Sequence, residues 1–348
     1  MPQTIDNIAQ TGGGLIEMSA GLPNETLAGR RGWIISDGVT GHLAITRGIA
    51  ETLGLDAQIK QIEPRFPWWH LAPNGPADPR TLRLLLAEPL PEIVIGAGRQ
   101  TVPIIRALKR RGAFTVLCQS PRAFGESADV IWAPVHDRLS GPNVIATLTP
   151  PHRFSPPRLD ELRRSAPEAI AALPRLRVAC LIGGPGAGYK YDASVIADLT
   201  GVLARISASA GCFLITPSRR TPPELLRAID ETTRPLPRIL WNGDGENPYP
   251  HFLALADAFI VTADSVNMVG EACATGRPVH IFTPPGGRAK FRRFHQALQE
   301  HGATRPLSKD VSALDEWTYE PLNAAETVAA EIEKRWRQRR STAGDVGH

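Results

Sequence analysis

The 348-residue sequence predicts two doubly wound α/β domains that face a cleft, followed by a C-terminal helix. Short apolar runs recur through residues 33–148 and again through 177–282, and helical segments separate several of them. These runs are continuous rather than alternating, which is typical of strands buried on both faces of a parallel sheet. Each half also contains a glycine-bearing loop directly after an apolar run, as expected for the ligand-binding edge of such a domain.

The domain boundaries follow from changes in composition. Glycine and polar residues dominate the N-terminal segment, which predicts a loosely attached arm. Prolines at positions 150, 151, 156, 157, 167 and 174 break up a polar stretch in the middle of the chain and indicate a linker with one short helix at 159–164. We therefore predict an arm at 1–29, a first domain at 30–155, a linker at 156–176, a second domain at 177–318, and a C-terminal helix with a basic tail at 319–348.

Within the domains, each apolar run is assigned as a strand. In the first domain, strands are predicted at 33–35, 58–62, 92–95, 114–118, 129–133 and 143–148, with helices at 42–53 and 99–111. In the second, strands are predicted at 177–182, 212–216, 238–241, 258–262 and 278–282, with helices at 192–209, 223–232, 265–275 and 290–301. Ligands of open α/β sheets bind beyond the carboxyl ends of the strands, so the polar loops at those ends are the candidate sites.

Composition places the chain among soluble globular proteins, with 42% hydrophobic and 21% charged residues. No apolar run approaches the roughly 18–20 residues that span a bilayer. The N-terminus lacks the basic start and apolar stretch of a signal peptide, which predicts a cytoplasmic location. The four cysteines, Cys118, Cys180, Cys212 and Cys273, lie in apolar segments without C-x-x-C spacing, which favours buried free thiols over a metal site or disulfides.

The net charge of +4 is a local feature of the C-terminus. Residues 334–340 carry five cations and no acid, so the rest of the chain sums to −1. This distribution does not favour nucleic-acid binding by the body of the protein. The helix that carries these cations can pack on the body, or it can attract the chain to an anionic membrane surface such as the inner membrane. Both alternatives remain open at this level.

Two polar loops of the first domain follow predicted strands. They are Ser36–His42 and Gly96–Thr101, and each opens a predicted helix, where free backbone N–H groups and the helix dipole favour an anion. His42 suits a general base or hydrogen-bond partner, with Asp37 as the other candidate base. The alternative for His42 is a capping or packing role. His136, beside Asp137 after the strand at 129–133, is a further candidate imidazole.

The second domain carries more polar loops. The segment Gly183–Tyr189 is glycine-rich, and Thr216–Pro222 places Arg219 and Arg220 before a predicted helix start, where a guanidinium fork suits a phosphate. A solvated charged loop is the alternative. The Trp241–Tyr249 loop combines polar and aromatic residues, which suits a planar ring.

The segment Thr262–Ala272 is the most specific in the chain. Asp264 or Ser265 can cap the helix that begins there. Ser265, Met268 and Glu271 are spaced by three and share one helical edge, where a carboxylate can accept hydrogen bonds from ribose hydroxyls. Further along, Arg288 and Lys290 follow a glycine pair and can close over an anion.

These motifs resemble bacterial members of the mitochondrial fission ELM family, named for plant "elongated mitochondria" proteins. The resemblance rests on Ser36–His42, Thr216–Pro222, Trp241–Tyr249 and Thr262–Glu271, and it extends over roughly residues 30–340. That family is similar to glycosyltransferases of the GT-B architecture, which contain two Rossmann-like domains. One of these enzymes adds N-acetylglucosamine to a lipid-linked cell-wall precursor.

The resemblance implies a division of labour between the two domains. Acceptor-side residues would be Gly38, Gly41, His42, Gly96 and Gly98, with Arg99 and His136 as further acceptor-binding candidates. Nucleotide-sugar-binding residues would be Ser218, Arg219, Ser265, Met268 and Glu271, with Gly184, Arg220, Asn242, Asp264 and Arg288 as further candidates.

We therefore predict a glycosyltransferase that moves a sugar from a nucleotide-diphosphate sugar to an unidentified acceptor, such as a lipid-linked or cell-envelope molecule. No Asp-x-Asp pair follows a strand, so phosphate charge would be met by Arg219, Arg220, Arg288, Lys290 and helix N-termini without a metal or other cofactor. Two alternatives remain open. One is a sugar-nucleotide epimerase on the same scaffold, and the other is a non-catalytic binding or scaffold protein, since plant relatives are linked to organelle fission through dynamin-type partners.

Overall fold

The structure is a computed structural model that describes residues 25–118 and 127–345. The described residues form two six-stranded parallel sheets with helices packed on them, which confirms the prediction of two doubly wound α/β domains and a C-terminal helix. Residues 1–24 of the predicted arm and the last residues of the predicted tail lie outside this range.

The first sheet has the strand order β2-β1-β3-β4-β5-β6. Its strands are β1 (Arg31–Ser36), β2 (Asp56–Gln61), β3 (Ile93–Ala97), β4 (Phe114–Cys118), β5 (Val130–Pro134) and β6 (Val144–Thr147). Its helices are α1 (Thr40–Thr52), α2 (Trp68–Leu71), α3 (Pro79–Leu85) and α4 (Val102–Lys109). Because the chain moves outward from β1 to β2 and then returns to β3 on the other side, the strand order reverses between β1 and β3. A crevice opens at such a reversal point.

The second sheet has the order β12-β11-β10-β7-β8-β9 and reverses between β7 and β10. Its strands are β7 (Arg177–Ile182), β8 (Cys212–Pro217), β9 (Arg238–Leu240), β10 (Ala258–Thr262), β11 (Val279–Phe282) and β12 (Thr304–Pro306). The helices that follow α4 in the chain are α5 (Pro156–Arg164), α6 (Glu168–Ala171), α7 (Ala193–Ile206), α8 (Pro223–Thr233), α9 (Tyr249–Leu255), α10 (Val266–Cys273), α11 (Ala289–Glu300) and α12 (Ala324–Asp345).

The predicted strands all occur, and most are apolar runs that the sheet buries on both faces, whereas β2 and β9 are only partly buried. β3, β4, β5 and β7 are buried along their whole length. The prediction missed β12, a three-residue edge strand that ends in proline. It also missed four short helices, since four to seven residues are too few to show a helical period: α2, α3, α6 and α9.

The stretch predicted as a linker, residues 156–176, contains the short helix expected at 159–164, within α5, and a second helix, α6. Pro156 and Pro157 occupy the first turn of α5, where a missing N–H costs nothing. Leu159, Leu162 and Ile170 are buried in the same core cluster as α9 of the second domain. The segment is therefore part of the second domain's core.

The C-terminal helix α12 packs on the first domain. Val328, Ile332 and Trp336 are buried in one cluster with Ile49 of α1 and Trp132 of β5. The chain therefore crosses back from the second domain to complete the hydrophobic core of the first.

The end of the predicted arm is attached to α12. Leu27 is fully buried, and its N–H donates to Oε1 of Glu333 at 3.1 Å. Residues 25–29, the described end of the predicted arm, are thus held on the body, because a buried leucine removes apolar surface from water.

The cations predicted to attract a membrane all have acidic partners within the chain. The pairs are Lys334 and Arg335 with Glu331, Arg337 with Glu333, Arg339 with Asp129, and Arg340 with Glu25 and Glu92. These contacts favour the packing alternative for this helix. Among the described residues, none of the helices combines the length and apolarity needed to cross a bilayer.

The four cysteines are free and buried, as predicted. Burial raises the pKa of the Cys212 thiol to about 11, so it stays protonated at neutral pH. A protonated, inaccessible thiol is a packing residue.

Candidate functional site

The reversal points of the two sheets face each other across the cleft. Gly41 lies in the first turn of α1, and Asn267 lies in the first turn of α10. A Cβ atom added to Gly41 would lie 3.0 Å from Nδ2 of Asn267. Two helix N-termini therefore meet between the domains, and both direct backbone N–H groups into this region. Asn267 was not among the predicted site residues, although its place in the first turn after β10 is a signal that marks it.

Asp37 and His42 form a hydrogen-bonded pair at the end of β1. Nδ1 of His42 lies 3.0 Å from Oδ2 and 3.1 Å from Oδ1 of Asp37, and the N–H of Val39 donates to Oδ1 at 3.2 Å. Because a carboxylate only accepts, Nδ1 of His42 is the donor, which leaves Nε2 with its lone pair. The His42 side chain is 25% exposed. An imidazole that is oriented and accessible in this way is chemically able to accept a proton from a bound hydroxyl group.

Gly98, in the loop after β3, lies in close contact with the Asp37–His42 pair. Its φ is +88°, and a Cβ atom there would lie 2.5 Å from Nδ1 of His42 and 2.6 Å from Oδ2 of Asp37. Only glycine fits this approach. A Cβ atom added to Gly96 would instead lie 3.0 Å from Cδ1 of Ile105 and 3.1 Å from Oγ1 of Thr101, so this glycine allows close packing of the following helical segment.

We expect Gly98→Ala to lower turnover about 10- to 100-fold, because the methyl group would displace the His42 ring by an ångström or more. Nucleotide-sugar affinity should not change, since the predicted donor residues belong to the second domain. Steady-state kinetics and calorimetry measure the two effects.

Gly112→Ala is the matched control for this experiment. Gly112 has a φ of +97° and would meet no heavy atom within 4 Å, so it carries the same backbone strain without the collision. Equal losses in the two variants would mean that strain alone is responsible.

Asp264 is a buried residue at the reversal point of the second sheet, and its carboxylate connects several neighbouring groups by hydrogen bonds. It accepts hydrogen bonds from the N–H of Gly184 at 3.1 Å, from Oη of Tyr191 at 2.7 Å and from Nη2 of Arg220 at 2.8 Å. Ser265 rather than Asp264 caps α10, because its Oγ accepts from the N–H of Met268 at 3.4 Å. Asp264 therefore holds the glycine loop and Arg220 in place.

The Gly183–Tyr189 loop does not lead directly into a helix. Helix α7 begins four residues later at Ala193, and Asp192 caps it by accepting from the N–H groups of Ser194 and Val195. The glycine loop instead pairs with the loop before α11, where the N–H of Arg288 donates to the Ala187 carbonyl at 2.9 Å. The carbonyl groups of Ala187 and Gly188 therefore serve the packing of the two loops.

The predicted phosphate-binding arginines divide into two kinds. Arg220 is engaged by Asp264 and by the carbonyls of Gly184 and Pro185, so it clamps the glycine loop. Arg219 and Arg288 are exposed, and neither side chain has a hydrogen-bond or ion-pair partner within residues 25–118 and 127–345. Ser218 directly precedes Arg219 in the chain, and its Oγ accepts a hydrogen bond from the N–H of Arg220 at 3.2 Å.

Glu271 is half-buried on α10 and accepts a hydrogen bond from Oη of Tyr249. Burial raises the pKa of its carboxyl to about 7, although the Tyr249 hydrogen bond opposes that rise. Ser265 and Met268 are half-buried on the same helix. Tyr249 was not predicted as a site residue individually, although it ends the aromatic loop that the sequence marks.

Three other predicted site residues make contacts within the protein. Asn242 is exposed and exchanges hydrogen bonds with Asp244 inside its own loop. Arg99 donates from Nη2 to the Trp69 carbonyl at 2.6 Å. His136 is buried, packs edge-on against Phe294 of α11 at 5.2 Å, and has its pKa lowered to about 4 by burial, so it stays neutral.

Asp137 does not orient His136. Its Oδ1 lies 4.0 Å from Nε2 of His136, beyond hydrogen-bond distance, and 3.5 Å from Nζ of Lys290 on α11. Lys290 is thus used in an ion pair between the domains. Nδ1 of His136 has no hydrogen-bond partner among the described residues.

The chain matches the protein family described as Mitochondrial fission ELM1 over residues 40–336. A curated relative, Mitochondrial fission protein ELM1 of Arabidopsis thaliana, is 31% identical over 271 residues, which cover 70% of this chain and 64% of the plant protein. The chain therefore spans less than two thirds of the length of that relative.

Two solved structures have a similar fold. One is UDP-GlcNAc 2-epimerase from Methanocaldococcus jannaschii, with a TM-score of 0.53 and 12% identity over 87% of this chain and 98% of the epimerase. The other is the glycosyltransferase SnogD from Streptomyces nogalater, with a TM-score of 0.51 and 13% identity over 89% of this chain and 95% of the enzyme. At these identities the likeness concerns the fold alone.

Proposed function

This chain belongs to the mitochondrial fission ELM1 family, and we propose that it transfers a sugar from a nucleotide-diphosphate sugar to an acceptor in the cleft between its domains. The observation that carries the proposal is the Asp37–His42 pair directly opposite the N-terminus of α10. A base on one side and an anion-binding helix start on the other are what such a transfer requires.

In the proposed reaction, the donor diphosphate lies at the start of α10, where Arg219 and Arg288 are free to contact it. Nε2 of His42 removes the proton of the acceptor hydroxyl while its oxygen forms a bond to the anomeric carbon of the sugar. The bond between that carbon and the diphosphate oxygen breaks, and the nucleoside diphosphate leaves with the electron pair. Asp37 stabilises the imidazolium that forms.

We expect turnover to persist in the presence of EDTA, because arginines and helix N-termini would stabilise the leaving diphosphate. Among the described residues, no group of three or more His, Cys, Asp or Glu side chains could hold a metal ion. Loss of all activity in EDTA, with recovery on adding Mg²⁺ or Mn²⁺, would contradict this prediction. Metal independence stays a prediction until that assay is made.

We expect the affinity for a nucleotide-sugar to rise about tenfold between about pH 6 and pH 8. The reason is that ribose hydroxyls donate to the ionised carboxylate of Glu271, and a group with a pKa of about 7 passes from mostly protonated to mostly ionised in this range. Calorimetry at several pH values measures the effect.

Two variants serve as controls for the predicted pH dependence of the affinity for a nucleotide-sugar. Glu271→Gln should weaken binding and flatten the pH dependence. Tyr249→Phe should move the midpoint above pH 7, because the Tyr249 hydrogen bond lowers the pKa of Glu271. An unchanged pH profile in a folded Glu271→Gln variant would exclude Glu271 from the donor site.

Calorimetry with a panel of nucleotide-sugars, followed by an assay for released nucleotide, tests the proposed function. The expected result is one preferred donor whose nucleotide is released faster when an acceptor is present. Conversion of the donor sugar to its epimer without an acceptor would favour the epimerase alternative, and binding without turnover would favour a non-catalytic role. A cytoplasmic location, the identity of the acceptor and membrane association through α12 stay predictions.

A further inference from the structure

A short segment of the first domain exposes three large apolar side chains. In the segment at residues 66–71, Phe66 is 79% exposed, Trp69 is 47% exposed and Leu71 is 44% exposed. Single exposed apolar residues are ordinary, whereas a cluster with two aromatic rings is typical of a surface that binds something. We call residues 66–71 the aromatic segment.

The backbone of the aromatic segment is fixed to the body of the domain. The Trp69 carbonyl accepts hydrogen bonds from Nη2 of Arg99 at 2.6 Å and from Nε2 of Gln100 at 3.0 Å. Just beyond the segment, Arg106 donates to the carbonyls of Pro73 and Asn74 at 2.8 and 3.1 Å. The apolar side chains are therefore presented outward from an anchored backbone, so their exposure is a feature of the fold.

The chain after the aromatic segment carries exposed arginines. Residues 64–87 contain three arginines and one aspartate, and of the two glutamates that flank this stretch, Glu63 and Glu88, Glu88 is paired with Lys60. Asp78 pairs with Arg65, whereas Arg80 and Arg83 are exposed and their side chains have no ion-pair partner within the described part of the chain. Exposed tryptophan and phenylalanine next to unpaired arginines match the boundary between headgroups and acyl chains of an anionic bilayer.

We propose that the aromatic segment binds an anionic lipid bilayer, with Phe66, Trp69 and Leu71 inserted at the boundary between headgroups and acyl chains. This surface differs from the C-terminal helix, whose cations are already paired within the chain. Arg99, which holds the segment, follows Gly98, which contacts the Asp37–His42 pair. Binding would thus place the acceptor side of the cleft beside the membrane surface.

Co-sedimentation of the full chain with vesicles of equal parts phosphatidylcholine and phosphatidylglycerol tests the proposal. Wild-type protein should bind these vesicles and should bind pure phosphatidylcholine vesicles more weakly. The triple variant F66S/W69S/L71S should lose at least about tenfold in affinity, because it removes the inserted apolar surface. Val135→Ser is the matched control, since Val135 is 44% exposed but lies in the turn that contacts α11. It should bind as wild type does.

Tryptophan fluorescence adds a second readout. Vesicles that contain a brominated lipid should quench wild-type emission, and the quenching should fall sharply in Trp69→Phe, which keeps an aromatic ring and binding. The proposal would be overturned if wild-type protein did not bind anionic vesicles, or if the triple variant bound them with the same affinity as wild type. Capture of a protein partner by wild type but not by the triple variant, without vesicle binding, would assign the segment to a protein surface instead. Because no nucleotide-sugar is present, these results are independent of the transferase assay.

Discussion

Replacement of His42 by glutamine is expected to lower turnover of the nucleotide-sugar by about 10²- to 10⁴-fold, the usual contribution of a positioned general base. Glutamine keeps a side chain that can hydrogen-bond to Asp37 but has no group that accepts a proton near neutral pH. The affinity for the donor should stay within a factor of two or so of wild type, because the change lies in the first domain. Steady-state kinetics and calorimetry separate the two parameters.

Asp37→Asn should lower turnover in the same assay but less than His42→Gln, since it removes only the group that orients the imidazole and stabilises its charge. The control is His301→Gln, at an exposed histidine just after α11. A His42→Gln variant that turns over as fast as wild type would exclude His42 as the base and leave the pair a structural contact.

Replacement of Asp264 by alanine is expected to lower the free energy of unfolding of the second domain by about 2 kcal/mol, because hydrogen-bond donors inside the protein would lose their acceptor. The Asp264 side chain is fully buried, and its loss would leave the Gly184 N–H and the Tyr191 hydroxyl without their acceptor. Arg220 would keep only its contacts with the carbonyls of Gly184 and Pro185. Unfolding in urea, followed by circular dichroism, measures the loss.

Asp230→Ala provides the comparison for Asp264. Asp230 also pairs with arginines, namely Arg234 and Arg238, but at the surface, where an ion pair is worth at most about 1 kcal/mol. Equal losses of unfolding free energy in the Asp264→Ala and Asp230→Ala variants would contradict a special role for Asp264 in stability.

A folded Asp264→Ala protein should also bind the donor more weakly, because Arg220 and the glycine loop would lose the carboxylate that holds both of them.

The strands could be predicted from the sequence because each is a local pattern. Ile93, Val94 and Ile95, for example, form an unbroken apolar run that only a sheet buried on both faces accommodates. The Asp37–His42 contact could also be predicted from the sequence. The two residues are five positions apart across a strand-to-helix turn, which brings their side chains together.

Other features depend on which strands become neighbours, and local patterns do not carry that information. Asp264 meets Gly184 only because β10 lies beside β7, which are separated by some eighty residues of chain. Arg220 was predicted to be a phosphate ligand because the sequence alone does not show that Asp264 is its partner. Likewise, Pro156 and Pro157 fit either a linker or a helix start, and the burial of Leu159 decides between them.

The return of α12 to the first domain has a consequence for the order in which the protein forms during translation. The core around Ile49 and Trp132 includes Val328, Ile332 and Trp336, which the ribosome makes after the whole second domain. Chains generally fold domain by domain from the N-terminus as they are synthesised. Here the domain that is synthesised first is completed last, so an unfinished chain exposes an apolar groove on α1 and β5 until α12 emerges.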